Sequence, residues 1–342
     1  MLLPEVTAER CVHSHMEQAS CRACLDACPT GAWVMDDERL GIDVAQCDGC
    51  GLCATGCPEG AISERYAPAR FLVDGVGIGF AACDRSGVAA LADEAREGLL
   101  PCLHVLGVRA LLGLHGHGVR RLVLCRGECS RCPRGEAVPI EAHLSALNAL
   151  LADRGLGTIA ADVLAAGAWL RALSAARCRH ESAPMGRRAF VRRIFTSAAE
   201  TAADWATRPD PGPGNPQPPG RALPDDRGSG LCLFAPRIDE GQCTGCDACA
   251  RLCPHGVFKV EADAYRLDPD GCTGCGLCSD LCGAVSVCRF DHAPQRRLAL
   301  HPRRCAACGV SFHTPNLTAG ARPLCPICAR TSHHQRLYQV LD

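Results

Sequence analysis

Residues 243–254, CTGCDACARLCP, and residues 272–282, CTGCGLCSDLC, decide the reading of this chain. Cys243, Cys246, Cys249 and Cys253 follow the spacing C-x2-C-x2-C-x3-C, with Pro254 next, and Cys272, Cys275, Cys278 and Cys282 repeat it. Each iron of a cubane needs one thiolate. Three cysteines on one tight loop reach three corners of a cluster; the fourth corner points elsewhere, so the fourth cysteine of each run serves the other cluster. The spacing therefore predicts one [4Fe–4S] cluster on Cys243, Cys246, Cys249 and Cys282, and a second on Cys272, Cys275, Cys278 and Cys253. Gly274 and Gly276 let backbone N–H groups approach the sulfurs. The competing reading is a zinc-binding domain built on the same cysteines.

From about Ile238 to Phe290 the segment resembles the bacterial dicluster ferredoxins, which carry the same tandem run. The stretch GVFKVEADAYRLDPDGC (256–272) looks like that family's hairpin leading into the second loop; Gly283 departs from its usual proline after the last cysteine. The resemblance implies a small α+β fold and one-electron transfer.

Near the N-terminus lies a variant of this pattern. Cys47, Cys50, Cys53 and Cys57, followed by Pro58, complete one run. In the earlier run Cys21, Cys24 and Cys28 are in place, but Gln18 holds the first position, and Cys11 lies ten residues before Cys21. With Cys11 as the missing ligand, one cluster sits on Cys11, Cys21, Cys24 and Cys57 and the other on Cys47, Cys50, Cys53 and Cys28. Without it the first site holds a three-iron cluster or has a labile corner; His13 and His15 are nearby substitutes.

The whole composition fits metal ligation better than a disulfide scaffold. The 342 residues include 28 cysteines, most of them two or three residues apart, too tightly clustered to bridge distant loops. The start MLLPEVTAERC has no basic segment, apolar run or cleavage site of a secretory signal, and no apolar stretch is long enough to span a bilayer. We therefore expect a reducing, cytoplasmic location. A formal net charge of −1 gives no sign of a nucleic-acid partner. With 4% aromatic residues, large cores are not expected to carry the fold.

The segment Arg208–Gly230 is rich in Pro and Gly and reads as an exposed linker. The expected layout is a ferredoxin-like domain over 1–68, an α/β domain over 69–165, a helical segment over 166–207, the linker over 208–230, a second ferredoxin-like domain over 231–295 and a terminal module over 296–342. The fold class is α+β. In the α/β domain VGIGFAAC and RRLVLC read as strands ending at Cys83 and Cys125. Leu103, Leu106, Ala110, Leu111 and Leu114 have helical spacing, as do Ile140, Leu144, Leu147 and Leu151. Strand, helix, strand, helix predicts a parallel sheet, whose strand C-termini share one edge where ligands gather. Cys83, Cys102, Cys125, Cys129 and Cys132 lie in or beside it.

The order of these elements, with Cys83, the PCLH around Cys102 and the strand leading to Cys125 and Cys129, resembles the small iron–sulfur subunit that links some hydrogenases to heterodisulfide reductase. That likeness implies a [2Fe–2S] cluster, although one cysteine stands here where a C-x2-C pair is expected. The alternatives are buried structural thiols or a zinc site. His104, His115 and His117 read as ordinary polar residues.

At the C-terminus Cys305-x2-Cys308-Gly309 and Cys325-Pro326-x-Cys328 form two knuckles separated by sixteen residues. Four thiolates in this layout make a closed tetrahedral site. The module resembles zinc ribbons, and also rubredoxin-like domains that hold a single iron; zinc is favoured because aromatic residues are sparse. Cys178, Cys232 and Cys288 have no partner spacing. A basic patch of Arg187, Arg188, Arg192 and Arg193 reads as a solvated helix face.

No catalytic residues are expected: the chain shows no phosphate loop, no nucleophile with a base and no flavin or nicotinamide fingerprint. The leading functional expectation is an electron relay between a redox donor and a redox acceptor through at least four [4Fe–4S] clusters. The alternatives are a fixed electron-transfer subunit of a larger oxidoreductase of the formate dehydrogenase, hydrogenase or heterodisulfide-reductase kind, and an assembly or regulatory accessory protein.

Overall fold

The computed structural model describes residues 3–35, 40–63, 66–91, 97–135, 137–182, 217–223, 230–316 and 323–331. The chain divides into two compact units, Met1–Arg10 with Arg22–Pro216, and Cys11–Cys21 with Gln217–Asp342.

In the first unit, short helices Ala23–Asp26 and Leu52–Gly56 carry cysteines of the N-terminal runs, and a hairpin of β1 (Trp33–Met35) and β2 (Leu40–Ile42) lies between them. Beyond it is a mixed sheet of β3 (Ala69–Val73), β4 (Val76–Cys83), β5 (Leu99–Leu100), β6 (Val119–Cys125) and β7 (Ala160–Val163). The order is β3-β4-β6-β7, with β5 also paired to β4; β4, β5, β6 and β7 are parallel, and β3 is antiparallel to β4. The strands expected to end at Cys83 and Cys125 do so. The antiparallel strand β3 departs from the expected all-parallel sheet. Its cause is the turn Asp74–Gly75, where both residues take positive φ (52° and 81°), the conformation that lets a two-residue Asp-Gly loop follow the strand twist.

Trp169 anchors one face of this sheet. Fully buried on the helix Ala166–Ser182, it packs edge-on against Phe80 and donates its indole N–H to Val123 O at 2.9 Å. Helices Val108–Gly116 and Ile140–Asp153 pack together through buried leucines, among them Leu111, Leu147 and Leu151. The expected first helix begins only at Val108. Leu103–Val105 is a 3-10 turn, and Gly107 is extended (φ −71°, ψ 177°), so the chain changes direction before the helix starts.

The second unit pairs β8 (Cys232–Ile238) antiparallel with β11 (Val285–Asp291). A three-stranded sheet of β9 (Phe258–Val260), β10 (Ala264–Leu267) and β12 (Arg297–Ala299) includes the hairpin expected between the two cysteine runs. Helices Ala248–Leu252 and Leu277–Leu281 follow the cysteine loops. A last hairpin, β13 (His301–Arg304) with β14 (Ser311–Thr314), and the helix Pro326–Thr331 carry the terminal knuckles. Within this unit Val12, Met16, Ala19 and Cys21 pack with Leu252, Leu277 and Cys275, and the Ser20 hydroxyl and N–H both donate to Asp280.

Part of the expected linker is packed. Pro218, Pro219 and Leu223 are buried, and Arg221 binds both the Asp268 carboxylate (2.8 Å) and His255 O (2.9 Å). Residues 208–216 and 224–229, the helical expectation beyond Ser182 and the basic patch at Arg187–Arg193 lie outside the described residues.

Candidate metal centres

Three pockets among the described residues are lined by cysteines. In the first, Cys47, Cys50 and Cys53 come from one loop and Cys28 from the other run, the set expected from the exchanged fourth ligand. The loop is shaped by Gly49 and Gly51, both left-handed (φ 68° and 79°), while Asp48 Oδ1 accepts the Cys50 N–H at 3.1 Å. Backbone donors meet the sulfurs: Ala32 N–H to Cys28 Sγ at 3.3 Å, and Ala61 N–H to Cys57 Sγ at 3.2 Å. Burial alone would raise the Cys28 thiol, but the Thr30 hydroxyl and the N–H groups of Ala32, Thr30 and Gly31 together hold it below its ordinary value. Burial pushes Cys50 up to about 12. Thiols so buried ionise when a metal takes the place of the proton.

Of the other expected N-terminal set, Cys24 and Cys57 belong to the first unit, and Cys11 and Cys21 to the segment grouped with the second. His13 is occupied, its Nε2 lying 2.8 Å from Cys21 O.

In the second unit a pocket is lined by Cys272, Cys275 and Cys278 with Cys253 from the preceding run. Gly274 and Gly276 are left-handed here (φ 78° and 85°), as are Gly245 and Asp247 (73° and 62°) in the loop of Cys243, Cys246 and Cys249. Burial pushes Cys272 and Cys249 each up to about 12. Burial raises Cys243 against the lowering effect of the Gly245 N–H, and Cys243 and Cys282 both pack against the cluster that contains Cys249. Asp247 is held in its left-handed turn by two partners: Tyr265 donates its hydroxyl at 2.6 Å, and His313 Nε2 lies at 2.8 Å.

The third pocket lies in the middle of the first unit and gathers Cys83, Cys102, Cys129 and Cys132. A backbone donor reaches sulfur here too, Gly127 N–H to Cys83 Sγ at 3.2 Å. Burial raises Cys102 to about 11. Sequence reasoning passed over His104, which lines this pocket and is buried. Its Nδ1 accepts the Ile140 N–H at 3.1 Å, so its Nε2 carries the proton and faces Cys129 Sγ at 3.8 Å. Burial lowers the pKa of this imidazole.

Cys125, grouped with these thiols from the sequence, is not among the residues lining the pocket. It belongs to the apolar cluster of Phe80, Ala82, Val123 and Trp169. Strand parity explains this: Ala82 pairs with Cys125 and Phe80 with Val123, so all four share the face toward Trp169, whereas Cys83 has the opposite parity. His115 is bound to Gly157 O and does not line the pocket.

The C-terminal knuckles differ in scale. Cys305, Cys308, Cys325 and Cys328 have all four sulfurs within 4.8 Å of one another, the one such group among the described residues. Cys308 and Cys325 are 3.9 Å apart. A tetrahedral ion with metal–sulfur bonds of about 2.3 Å needs sulfur–sulfur edges of about 3.8 Å, so this donor set fits one ion. The Cys305 sulfur accepts the Cys325 N–H at 3.2 Å, and backbone donors of this kind hold its pKa down at about 5. Gly309 turns the first knuckle with φ 75°. The remaining cysteines stand apart: Cys178 is exposed, Cys232 is buried with its Sγ 3.9 Å from Asp270 Oδ1, and Cys288 is half-buried.

Comparison with known families agrees with this geometry. Residues 19–62 match a family model described as a 4Fe–4S dicluster domain, and residues 235–283 match a second model of that description. No curated protein and no solved structure matches the chain. The chain thus carries two 4Fe–4S dicluster domains, one near its N-terminus and one further on, and these mark it as an iron–sulfur electron-transfer protein.

Proposed function

We propose that the chain relays single electrons between a redox donor protein and a redox acceptor through at least four [4Fe–4S] clusters. The ligand sets are Cys11, Cys21, Cys24 and Cys57; Cys28, Cys47, Cys50 and Cys53; Cys243, Cys246, Cys249 and Cys282; and Cys253, Cys272, Cys275 and Cys278. The observation that carries this reading is the exchanged ligand. In each domain a pocket combines three cysteines of one run with the fourth of the other. Bound clusters supply the one-electron chemistry; the chain holds them, excludes water and aims N–H donors at sulfur.

A fifth iron–sulfur centre occupies Cys83, Cys102, Cys129 and Cys132, and one zinc ion sits on Cys305, Cys308, Cys325 and Cys328. The protein works in the reducing cytoplasm, where such thiolates persist; no described helix is long and apolar enough to cross a membrane. A fixed subunit of a larger oxidoreductase is the second reading. It is favoured by the middle pocket, which lies in the same unit as the Cys28–Cys47–Cys50–Cys53 pocket.

Iron, acid-labile sulfide and zinc are counted per chain after anaerobic purification. Four cubanes give about 16 iron, and a binuclear or cubane fifth centre raises the count to about 18 or 20. One zinc accompanies either count. Iron near 16 leaves the middle thiols structural, and iron that stays near 8 after reconstitution sinks the relay. A partner that co-purifies in fixed proportion selects the subunit reading.

A further inference from the structure

Arg134 lines one thiolate pocket of the first unit and binds Asp48, which lines the other. It lines the Cys83–Cys102–Cys129–Cys132 pocket, and its side chain is only 9% exposed. Its guanidinium binds the Asp48 carboxylate through Nε and Nη2, each at 2.8 Å. Nη1 reaches Asp84 at 3.1 Å and Pro101 O at 2.6 Å. Each partner sits next to a ligand cysteine. Asp48 follows Cys47 and accepts the Cys50 N–H, Asp84 follows Cys83, Pro101 precedes Cys102, and Arg134 itself lies two residues after Cys132.

A buried guanidinium in this position does two things. Its planar fork fixes the separation of the loops, which a lysine point charge would not do. It also leaves a permanent positive charge between two places where negative charge accumulates on reduction. Asp48 and Asp84 carry two negative charges against its one, so its removal would leave both carboxylates uncompensated beside the pockets. At close range in a partly desolvated site such a charge favours the more negative state of its neighbours.

We infer that Arg134 is a positioning residue that couples the middle centre to the Cys28–Cys47–Cys50–Cys53 centre, tying their loops together and raising the reduction potential of both. Electrons thereby pass between the N-terminal dicluster domain and the middle centre inside one unit. This rests on the reading above that both pockets hold clusters.

The test is a potentiometric titration of the full-length protein, with each centre followed by its electron paramagnetic resonance signal. Arg134→Met is expected to lower the reduction equilibrium constant of these two centres about tenfold, a shift of about 59 mV for one electron. The centres in the second unit keep their potentials. Arg134→Lys retains the charge and recovers most of the shift. Asp48→Asn keeps the acceptor for the Cys50 N–H, removes a negative charge and moves the same two centres upward.

The inference is overturned if Arg134→Met keeps its iron and its potentials, or if every centre in the protein shifts alike. Where Arg134→Met loses iron, Asp48→Asn decides: unmoved potentials in that variant overturn the inference. Failure of the underlying reading looks different, because the unaltered protein then contains no fifth centre to titrate.

Discussion

The loops that hold the cysteines depend on single residues with left-handed backbone. In three of the four runs the residue before the second cysteine of the C-x2-C-x2-C stretch is a glycine with positive φ, Gly49, Gly245 or Gly274. The residue after it, Gly51, Asp247 or Gly276, is left-handed too. The run that begins at Gln18 has neither: Arg22, after Cys21, has φ −126°. The departure at Gln18 is therefore one of loop shape as well as of ligand, a difference already visible in the sequence as Ser20-Cys21-Arg22 against Gly-Cys-Gly or Gly-Cys-Asp. Gly274 and Gly276 separate two costs. A Cβ at Gly276 meets nothing within 4 Å, but one at Gly274 would lie 2.6 Å from the Phe234 ring. Gly276→Ala is expected to lose about 1–2 kcal/mol, the penalty of an L-residue in that region. Gly274→Ala adds a steric clash and loses roughly 1–3 kcal/mol more. Denaturation of the iron-loaded variants under anaerobic conditions checks the order; equal losses would mean that the Phe234 ring simply moves aside.

Strands and helices explain which thiols meet. The ends of β4 and β6 were legible in the sequence, because VGIGFAAC and RRLVLC stop at cysteines and glycines follow soon after. Membership of the pocket was not. It follows from parity across the β4–β6 register, and register is fixed by long-range pairing that apolar pattern alone does not give. The strand β3 was readable from the Asp74–Gly75 turn and was missed because ARFLV is short. His104 was hidden for another reason: nothing local distinguishes it from a solvated histidine until the Ile140 N–H claims its Nδ1. The parity argument has a direct consequence. Cys125→Ala should keep the iron count of the unaltered protein and cost on the order of 1 kcal/mol for a small buried void. Cys129→Ala should remove the middle centre, about two or four iron per chain. Iron analysis beside thermal unfolding checks both; iron lost from Cys125→Ala would put that thiol back among the ligands.

The two units contain domains that need metal to different degrees. The middle sheet buries Phe71, Phe80, Trp169, Leu122, Leu124, Leu147 and Leu151, so aromatic and aliphatic side chains rather than cluster ligands fill most of its interior, a larger core than the aromatic content led us to expect. The dicluster domain of the second unit is different. Around its buried residues Ile238, Phe258, Tyr265 and Leu267 are packed Cys243, Cys253, Cys272, Cys278 and Cys282, so a good part of what fills its interior is ligand. The terminal knuckles are more dependent still: their buried cluster is Cys305, Cys325 and Cys328. Without the ion, four sulfurs within 4.8 Å would have to be held together by a short hairpin and one helical turn and a half, which is too little buried surface for such a segment to fold. The knuckles are also linked to the neighbouring cluster loop, since His313 on β14 and Asp247 after Cys246 share a hydrogen bond. Stripping metal should therefore unfold the molecule in parts. A strong chelator under reducing conditions is expected to expose amides of the Cys243–Cys249 and Cys272–Cys278 loops and of β13 and β14 to hydrogen exchange. Amides of β4 and β6 should keep their protection. Reloading zinc alone should restore β13 and β14, and with them part of the protection at Cys246 and Asp247, before any iron is returned. Loss of protection in β4 and β6 together with the loops would instead show that the middle sheet depends on its own metal centre.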